Sequence, residues 1–555
     1  MQVYCRNTKT YKKFPEGTSL EQMVGEFDFP KPYPIISARV NNVSQGLRFR
    51  LYHNKDVEFL DATDPSGMRV YTRSLYFLLY KAAIEVFPGC EVYVEHPISH
   101  GYFCHLRKAD KSELTEEDVR RVSDRMREIV DQNVPFHRYE VHTDRAIRIF
   151  QEAGYYDKVK LLKTSDEIYT DYYTLGDTVD YYYGRLVPTA GYLQVWALQH
   201  FHNGILLRVP SRGNPNEIAP FCDQPKTFEM FNESLKWNII QKLGTVGDVN
   251  DAILSGRASE LIQVAEALQE KKIVQIAEDI FTKSKAEPPV RIVLITGPSS
   301  SGKTTFCKRL SIQLKACGMQ PFTMSTDDYF VNRNDTPRLP DGSFDFDNFD
   351  TVDHARMQED ILAMLRGEDV QVPEYNFVKG LREYNGKHIC LTAGSILLVE
   401  GIHALNPGLT DKIDDSAKFK IFINTLTSSA LDDHNCIPTS DNRLLRRIIR
   451  DAKKGAFSAK ESIRQWPNVR KSEHEWIYPY QETADVMFNS AYLVEFAVLR
   501  NHAEPILESV PKNCLEYSEA HRLLKFIHYF TPVPDHEIPP TSLLREFLGG
   551  SSFNY

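Results

Sequence analysis

The sequence contains no paired cysteine motif, no long apolar run and no internal repeat. Its nine cysteines are scattered singly among 555 residues without one Cys-x-x-Cys pair, which disfavours a disulfide framework or a zinc knuckle. No apolar run has the length that a bilayer-spanning helix requires, and the first residues do not resemble a signal peptide. The sequence therefore predicts a cytoplasmic protein that does not insert into a membrane.

Neither sign of charge is in large excess. The chain has 66 lysines and arginines against 75 aspartates and glutamates, a formal net charge of -9. This balance disfavours a general nucleic-acid binder but leaves a local basic patch open. Hydrophobic residues make up 42% and charged residues 25%, which are ordinary values for a globular protein. A chain of this length predicts about three or four domains.

Turn clusters and changes of hydrophobic pattern divide the chain into five segments. The first predicts a small α+β unit, the second a mixed region rich in tyrosine, and the third a helical linker. The fourth contains the motif described next, and the fifth is a C-terminal extension without a predicted role. The predicted boundaries are 1–60, 61–223, 224–289, 290–500 and 501–555.

A complete phosphate-binding loop, Gly-Pro-Ser-Ser-Ser-Gly-Lys-Thr, occupies residues 297–304. The apolar run 292–295 before it predicts a strand, and Phe306, Leu310 and Leu314 after it predict one face of a helix. The N-terminus of that helix would point at the phosphates, where backbone N–H groups and the helix dipole favour an anion. Strand, loop and helix together predict a nucleoside triphosphate site.

The residue types of the loop suit this chemistry. The glycines let backbone N–H groups surround phosphate oxygens, Lys303 supplies a positive charge, and Thr304 supplies a hydroxyl ligand for Mg²⁺. The predicted nucleotide-binding residues of the loop are Gly297, Ser299, Ser300, Ser301, Gly302, Lys303, Thr304 and Thr305.

Carboxylates follow two further predicted strands. Asp327 and Asp328 come after residues 322–325, and Glu400 ends the apolar run 396–399. A carboxylate at such a place could accept a hydroxyl proton or reach Mg²⁺. A helix N-cap for Asp327 and a strand-end carboxylate without function for Glu400 are the alternatives.

Four arginines, Arg443, Arg446, Arg447 and Arg450, recur at spacings of three and four. This spacing places them on one side of a predicted helix. Such a helix could bring guanidinium groups onto a transferring phosphoryl group. A solvated basic face is the alternative.

Five sequence blocks beyond the loop resemble, in the same order, the signatures of uridine kinases within the uridine kinase and phosphoribulokinase group. The resemblance covers about residues 290 to 495. It implies a core of parallel strands flanked by helices that transfers the γ-phosphate of ATP to the 5′-hydroxyl of a nucleoside. The matching blocks are Ser-Thr-Asp-Asp-Tyr-Phe at 325–330, Phe-Asp-Asn-Phe-Asp-Thr-Val-Asp at 346–353, Pro-Glu-Tyr-Asn-Phe at 373–377, Val-Glu-Gly-Ile at 399–402 and Asp-Asn-Arg-Leu at 441–444.

The resemblance also implies roles for individual residues. Asp327 would be the base near the accepting hydroxyl, and Lys303 would complete the catalytic pair at the phosphates. Thr304 and Glu400 would serve Mg²⁺. The residues implied to hold the substrate are Asp347 at the ribose hydroxyls, Tyr375 and Phe377 at the base, Arg382 and Arg443. The residues implied to form a lid over the phosphates are Arg446 and Arg450.

One position departs from the uridine kinase pattern. The family has a base-reading histidine three residues after the pocket phenylalanine, and this chain has Gly380 there, although Arg382 matches. Without an imidazole donor, the preference for a pyrimidine stays open. Another nucleoside or a different small hydroxyl substrate is therefore an alternative.

The N-terminal half resembles parts of threonyl-tRNA synthetases. Residues 1–60 are similar to a TGS-type β-grasp domain, and about residues 61–200 are similar to the second additional, editing domain. The blocks that carry this resemblance are Asp-Pro-Ser-Gly at 64–67, Leu-Leu at 78–79, Phe-Pro at 87–88, Gly-Tyr-Phe at 101–103, Asn-Val-Pro-Phe at 133–136 and Val-Pro-Thr-Ala-Gly at 187–191.

The functional quartet of the editing domain is absent. Its His-x-x-x-His pair and its later cysteine and histidine correspond here to Arg73, Phe77, Tyr182 and Leu186, none of which suits metal or hydrolytic chemistry of that kind. Proofreading of tRNA is therefore not expected. An RNA contact through this half, a regulatory role and homo-oligomer assembly stay open.

Two functions from different classes follow from these observations. The leading hypothesis is an ATP-dependent nucleoside kinase, in a fold of class α/β, preceded by β-grasp-like and editing-like α+β domains. The alternative is an RNA-associated switch protein in which ATP binding controls the front half and no small molecule is phosphorylated. A GTPase is disfavoured because Asn-Arg-Asn-Asp at 332–335 falls too soon after the loop to read guanine.

Overall fold

The computed structural model describes residues 1–340 and 342–554. The chain begins with a small mixed sheet in the order β2-β1-β7-β4-β5, where β1 and β7 are parallel and the other neighbours antiparallel. This arrangement agrees with the predicted α+β unit. Its elements are β1 (Gln2–Cys5), β2 (Thr10–Lys13), β3 (Thr18–Ser19), α1 (Leu20–Val24), β4 (Ser37–Val40), β5 (Val43–Gly46), β6 (Arg50–Leu51) and β7 (Lys55–Leu60).

The second region packs two antiparallel sheets around a long helix. The sheets have the orders β13-β14-β9-β8 and β10-β11-β12. The elements are α2 (Pro65–Val86), β8 (Glu91–Ile98), β9 (Gly101–Arg107), α3 (Glu116–Asp131), β10 (Phe136–His142), α4 (Thr143–Glu152), α5 (Tyr156–Lys163), β11 (Tyr169–Leu175), β12 (Thr178–Asp180), β13 (Ala197–Phe201) and β14 (Gly204–Arg208).

Apolar packing replaces the editing chemistry in this region. Phe77, Tyr182 and Leu186 are all buried in its core, and the rings of Phe77 and Tyr182 lie 5.5 Å apart. Side chains packed in this way supply no ligand for a metal ion.

The third region consists of α6 (Pro225–Gln241), α7 (Val246–Leu254) and α8 (Ala258–Ser284). The prediction of a helical linker was wrong, because α6 and α8 are packed layers of the domain that follows. Ile273 and Ile280 of α8 share a buried cluster with Phe306. Phe231 of α6 belongs to the cluster on the opposite face of the sheet.

A parallel sheet in the order β16-β21-β15-β22-β23 forms the centre of the next region. It confirms the predicted α/β class. The elements are β15 (Ile292–Thr296), α9 (Lys303–Ala316), β16 (Gln320–Ser325), α10 (His354–Leu365), β17 (Val370–Gln371), β18 (Glu374–Asn376), β19 (Leu381–Glu383), β20 (His388–Ile389), β21 (Ser395–Glu400), α11 (Pro407–Thr410), β22 (Lys418–Asn424), α12 (Thr439–Lys453), α13 (Ala459–Trp476) and β23 (Val486–Asn489).

Alternate residues of the central strand explain why helices cover both faces. Val293 and Ile295 face the cluster formed with α8 and α9, while Ile292 and Leu294 face the cluster that contains Met357 of α10. All five residues of β15 are 0–1% exposed. A strand buried on both sides is the expected state of a parallel sheet.

The chain ends in α14 (Glu495–Glu508), α15 (Tyr517–Ile527) and α16 (Arg545–Leu548). The predicted boundary between 500 and 501 was wrong because it falls inside α14, whose apolar face is continuous with the core of α12. Within the described residues, no helix is long and apolar enough to cross a membrane.

A buried charge cluster joins the front half to the α/β domain. Lys158 of α5 lies 3.2–3.3 Å from Asp157, Asp180 and Asp432, and its side chain is 1% exposed. Asp432 belongs to the loop between β22 and α12, where His434 approaches Asp180 at 2.8 Å. The two halves therefore share one desolvated ion network.

Candidate active site

The register of three neighbouring strands brings the predicted functional residues to one edge of the sheet. Glu400 is opposite Ser325 of β16 and opposite Ile295 of β15. Asp327 follows Ser325 by two residues, and the phosphate-binding loop follows β15 directly. The carboxyl ends of parallel strands are where open α/β sheets bind ligands, so loop, Asp327 and Glu400 surround one site.

The backbone of the loop depends on its glycines. A Cβ atom on Gly297 would lie 2.2 Å from the carbonyl oxygen of Ile423, a separation that no side chain tolerates. Gly302 has φ of +86° and caps the N-terminus of α9, a conformation that glycine adopts without steric cost. Phe306, Leu310 and Leu314 are fully buried on that helix, which confirms the predicted face.

The loop presents polar groups that lack protein partners. The backbone N–H groups of Gly302, Lys303 and Thr304 donate to no acceptor among the described residues. The hydroxyls of Ser300 and Ser301 are buried, also without a partner in that part of the chain. Buried polar groups are normally satisfied, so these donors fit the oxygens of bound phosphates.

Lys303, Asp327 and Glu400 form an interacting charge cluster. Burial raises the pKa of Asp327 above its usual value, and Lys303 opposes that shift. Burial raises the pKa of Glu400 to about 7, against the effect of Lys303 and with a further contribution from Asp327. Burial likewise lowers the pKa of Lys303, and three carboxylates, Glu400, Glu546 and Asp327, oppose the change. The charge of each group therefore affects the ionisation of the other two.

Thr304 and Glu400 meet the requirements of a magnesium site. The Thr304 hydroxyl donates to Oε1 of Glu400 at 3.1 Å, so both oxygens could face one cation. No group of three or more histidine, cysteine or acidic side chains suited to a metal occurs among the described residues. A nucleotide-bound Mg²⁺ needs only one or two protein oxygens besides phosphate and water, and this pair suffices.

Arg443 and Arg446 support the loop from behind. Each is fully buried and pairs with a buried carboxylate, Arg443 with Glu473 and Arg446 with Glu495. Arg443 also donates to the carbonyl oxygen of Ser299 at 3.1 Å. The side of α12 predicted to meet the phosphoryl group is thus partly committed to holding the loop, and the implied substrate and lid roles of these two arginines stay predictions.

Arg447 and Arg450 lie nearer to the open part of the site. Arg447 donates to the Ser299 hydroxyl at 3.3 Å and lowers the pKa of Asp347, which burial nevertheless raises to about 6. Arg450 pairs with Asp451 at 3.3 Å. Its positive charge adds to the effect of burial in lowering the pKa of Lys303. The two side-chain oxygens of Asp347 accept no hydrogen bond among the described residues, so these oxygens are available to a ligand.

The predicted aromatic wall is present. The rings of Tyr375 and Phe377 lie 5.0 Å apart at 74°, and Phe330 lies 5.5 Å from Tyr375. Phe377 is 58% exposed, while Tyr375 is 5% exposed. Such rings can stack on a flat ligand. Arg382, which the resemblance implies for substrate binding, pairs with Asp353 at 2.8 Å. Its guanidinium therefore already has a carboxylate partner within the protein.

Arg333 occupies the space beside Gly380. Gly380 has φ of +69°, and a Cβ there would lie 2.8 Å from both Cβ and Nε of Arg333. The Arg333 guanidinium donates to the carbonyl oxygen of Phe377. Burial raises the pKa of the Tyr375 hydroxyl, and the positive charge of Arg333 opposes that shift. The chain therefore places a guanidinium beside the aromatic wall, next to the position of the implied histidine.

The C-terminal segment reaches the loop as well. Glu546 of α16 accepts hydrogen bonds from the hydroxyl and the backbone N–H of Thr305, at 2.8 and 3.3 Å. Phe547 lies over the Arg446 guanidinium, 5.0 Å from ring centre to Cζ. A carboxylate thus occupies the N-terminal turn of α9, the place where phosphate is expected.

Residues 292–496 match the model of the phosphoribulokinase / uridine kinase family. This segment is a P-loop domain of that family. The match spans the loop, both acidic strand ends and α12. Two solved structures are also similar to this chain. One is described as a possible uridine kinase from Bacillus stearothermophilus, with 17% identity, 40% of this chain and 98% of that chain covered, and a TM-score of 0.29. The other is D-glycerate 3-kinase from Cryptococcus neoformans, with 17% identity, coverage of 38% and 89%, and a TM-score of 0.27.

The N-terminal region of about 190 residues resembles the N-terminal region of threonyl-tRNA synthetases. Threonine–tRNA ligase of Rubrobacter xylanophilus is 27% identical over 164 residues, which are 30% of this chain and 25% of that protein. The chain spans about a quarter of the length of the curated relatives that it matches.

Sequence reasoning missed several residues of the phosphoribulokinase / uridine kinase domain's site. Glu473 and Glu495, the buried partners of the arginines, lie 30 and 49 residues away from them along the chain. Glu546 lies 241 residues from Thr305. No local pattern marks such contacts. Arg447 was identified with its neighbours from their helical spacing, but it was assigned no role at the site.

Proposed function

We propose that the protein is an ATP-dependent phosphotransferase that acts on a hydroxyl group of a small molecule, with the 5′-hydroxyl of a nucleoside as the first candidate. The observation that carries the proposal is the convergence of Lys303, Asp327 and Glu400 at the ends of three adjacent parallel strands. Phosphoryl transfer needs a cation at the phosphates, a base at the acceptor and an acidic metal contact. These three residues supply that set.

ATP, when bound, supplies the phosphoryl group. The free N–H groups at the start of α9 and the Lys303 ammonium hold the phosphates. Thr304 and Glu400 would bind Mg²⁺. Asp327 takes the proton from the accepting hydroxyl, and its raised pKa makes it a stronger base than an exposed aspartate.

The acceptor is proposed to lie between the aromatic wall and Asp347. Tyr375 and Phe377 offer faces for a flat ring, and Asp347 has oxygens free to accept from vicinal hydroxyls. Arg333 provides donors at the far end of the ring in place of the family's histidine. Guanidinium donors suit a carbonyl or other acceptor edge, which supports a nucleobase without deciding which one.

The test is a panel assay on the full-length chain with ATP and Mg²⁺. The panel contains the ribonucleosides, their deoxy counterparts and small sugars and hydroxy acids, and the products are identified by mass. A monophosphate formed from one class with kcat/KM well above the others supports the proposal. If no acceptor is phosphorylated and tRNA changes the ATPase rate, the RNA-associated switch is favoured instead.

A further inference from the structure

A small cavity of about 110 Å³ lies outside the P-loop site, where the front half meets the C-terminal helices. Its walls come from β5, the first turns of α2, residues 183–185 and α15. This volume is several times what one water molecule requires, but it is small for a macromolecular segment. The cavity therefore suits a compact ligand or group.

The walls of the cavity are rich in cations. Three of the five cationic side chains that line it are paired with carboxylates. Five cationic side chains line the cavity, namely Arg69, Arg73, Arg185, Arg522 and Lys525. The paired ones are Arg69 with Glu519 at 2.9 Å, Arg185 with Asp171 at 3.0 Å and Arg522 with Asp441 at 2.6 Å.

Arg73 and Lys525 form no ion pair among the described residues, although Asp171 lines the same cavity and acts on the charge of Lys525. Arg73 is 8% exposed, and it forms no hydrogen bond or ion pair within the part of the chain that the structure describes. Its guanidinium lies over the Tyr183 ring at 4.8 Å and against the backbone of Gly184, where a Cβ would be 2.1 Å from Nη1. A buried charge without a counterion is costly. Such a group is expected to have a ligand.

The pKa values of two neighbouring side chains respond to burial and to this excess of positive charge. His521 lines the same cavity, and Lys525 lowers its pKa in addition to the effect of burial. Burial lowers the pKa of Lys525, and Arg185 lowers it further while Asp171 opposes the shift. The hydroxyls of Ser44 and Ser66, which also line the cavity, lie 3.3 Å apart, and a serine hydroxyl can donate to an oxyanion.

We propose that this cavity is a binding site for a phosphate group, either inorganic phosphate or a small phosphomonoester, held by Arg73 and Lys525. Two unpaired cations match the charge of a phosphate dianion, and a guanidinium offers the planar fork of donors that phosphate oxygens accept. The proposal is independent of the proposed phosphotransfer, because no P-loop residue contributes to the cavity.

The test is calorimetric titration of the full-length protein with the P-loop saturated by a non-hydrolysable ATP analogue and Mg²⁺. Inorganic phosphate and glycerol 3-phosphate, a small phosphomonoester, are the two probes, each at fixed ionic strength. Arg73→Met and Lys525→Met are expected to weaken binding of the preferred probe about tenfold or more. The matched control is Arg120→Met, which removes an exposed arginine paired with Glu117 on α3 and is expected to leave the affinity unchanged.

Each result decides the matter. If inorganic phosphate binds more tightly than glycerol 3-phosphate and both cavity variants lose this binding, inorganic phosphate is the ligand. If glycerol 3-phosphate binds more tightly and both variants lose its binding, the ligand is a phosphomonoester. Absence of saturable binding up to millimolar probe, or binding that both cavity variants retain, overturns the proposal. Lys525 is half-buried, so its variant remains informative if Arg73→Met does not fold.

Discussion

The carboxylate of Glu546 lies 2.8 Å from the hydroxyl of Thr305, at the first turn of the helix that follows the phosphate-binding loop. Thr305 also donates its backbone N–H to the same oxygen. A triphosphate on this loop would need donors of this turn, so Glu546 and a phosphate oxygen compete for them. The C-terminal segment must therefore yield when the nucleotide binds.

We expect Glu546→Gln to tighten ATP binding. An anion at a helix N-terminus contributes about 1 kcal/mol, which corresponds to a Kd lower by about fivefold. Titration calorimetry with ATP and Mg²⁺ measures the change. Glu537→Gln, in the same C-terminal segment but paired with Ser259, serves as the control. Unchanged or weaker ATP binding in Glu546→Gln would mean that the carboxylate does not compete.

The second prediction concerns Asp327→Asn, which removes the proposed base and keeps the side-chain size. We expect kcat to fall about 10²- to 10⁴-fold, while the Kd for ATP stays within about twofold. Asp328→Asn is the matched control in the same turn and should retain turnover. Normal turnover of Asp327→Asn would remove Asp327 from the chemical step.

The third prediction concerns the protonation of Glu400. Because burial raises its pKa to about 7 from 4.5, about half of this carboxyl is protonated at pH 7, and ionising it between those two pH values lowers the stability of the fold. Mg²⁺ binding requires the carboxylate and should release about half a proton at pH 7. Calorimetry of Mg²⁺–ATP binding in buffers of different ionisation enthalpy measures that release. Glu400→Gln should abolish it, and an equal release from this variant would assign the proton elsewhere.

The fourth prediction concerns the acceptor site. Arg333→Gln should raise the KM of the accepting substrate about tenfold and leave the KM of ATP unchanged, because the guanidinium lies beside the aromatic wall and not at the loop. Arg338→Gln is the control, since Arg338 donates to Gly342 in the same loop region. Gly380→His should not restore the family pattern, because its Cβ would clash with Arg333. An equal rise in both KM values would argue against a role in acceptor recognition.

The fifth prediction concerns the interface of the two halves. Lys158→Met leaves Asp157, Asp180 and Asp432 without their buried cation and should lower the free energy of unfolding by about 3–5 kcal/mol at pH 7. Burial opposes ionisation of Asp180, but His434 and Lys158 outweigh it and hold its pKa at about 2. This depressed pKa stabilises the fold above pH 3.8, and the contribution is lost as the pH falls towards 2.

Urea unfolding of the unchanged protein and of Lys158→Met across this pH range measures the free energy of unfolding of each. The difference between the two free energies should shrink on acidification. Lys160→Met is the matched control, because Lys160 pairs with Asp248 near the surface and should cost about 0–1 kcal/mol. If both variants lose a similar free energy of unfolding, the stabilising role assigned to the buried Lys158 network is contradicted.

The local elements of the site were predictable, whereas its long-range contacts were not. The strand, loop and helix around Lys303 follow from hydrophobic periodicity and glycine placement, which are properties of neighbouring residues. Helical spacing of arginines identified α12. It could not show that Arg443 and Arg446 are buried and paired with Glu473 and Glu495. The error at residues 224–289 has the same origin, because a helical pattern does not say which sheet the helix covers.

The sequence by itself determined the phosphate-binding loop, the α/β class of the domain that contains it, and the absence of the editing quartet. These features depend on residue types and on short spacings along the chain. Only the tertiary structure decided that α6 and α8 belong to that domain, that Glu546 contacts Thr305, and that Arg73 faces a cavity without a counterion. Burial and pairing are set by residues that lie far apart in the chain, and folding alone brings them together.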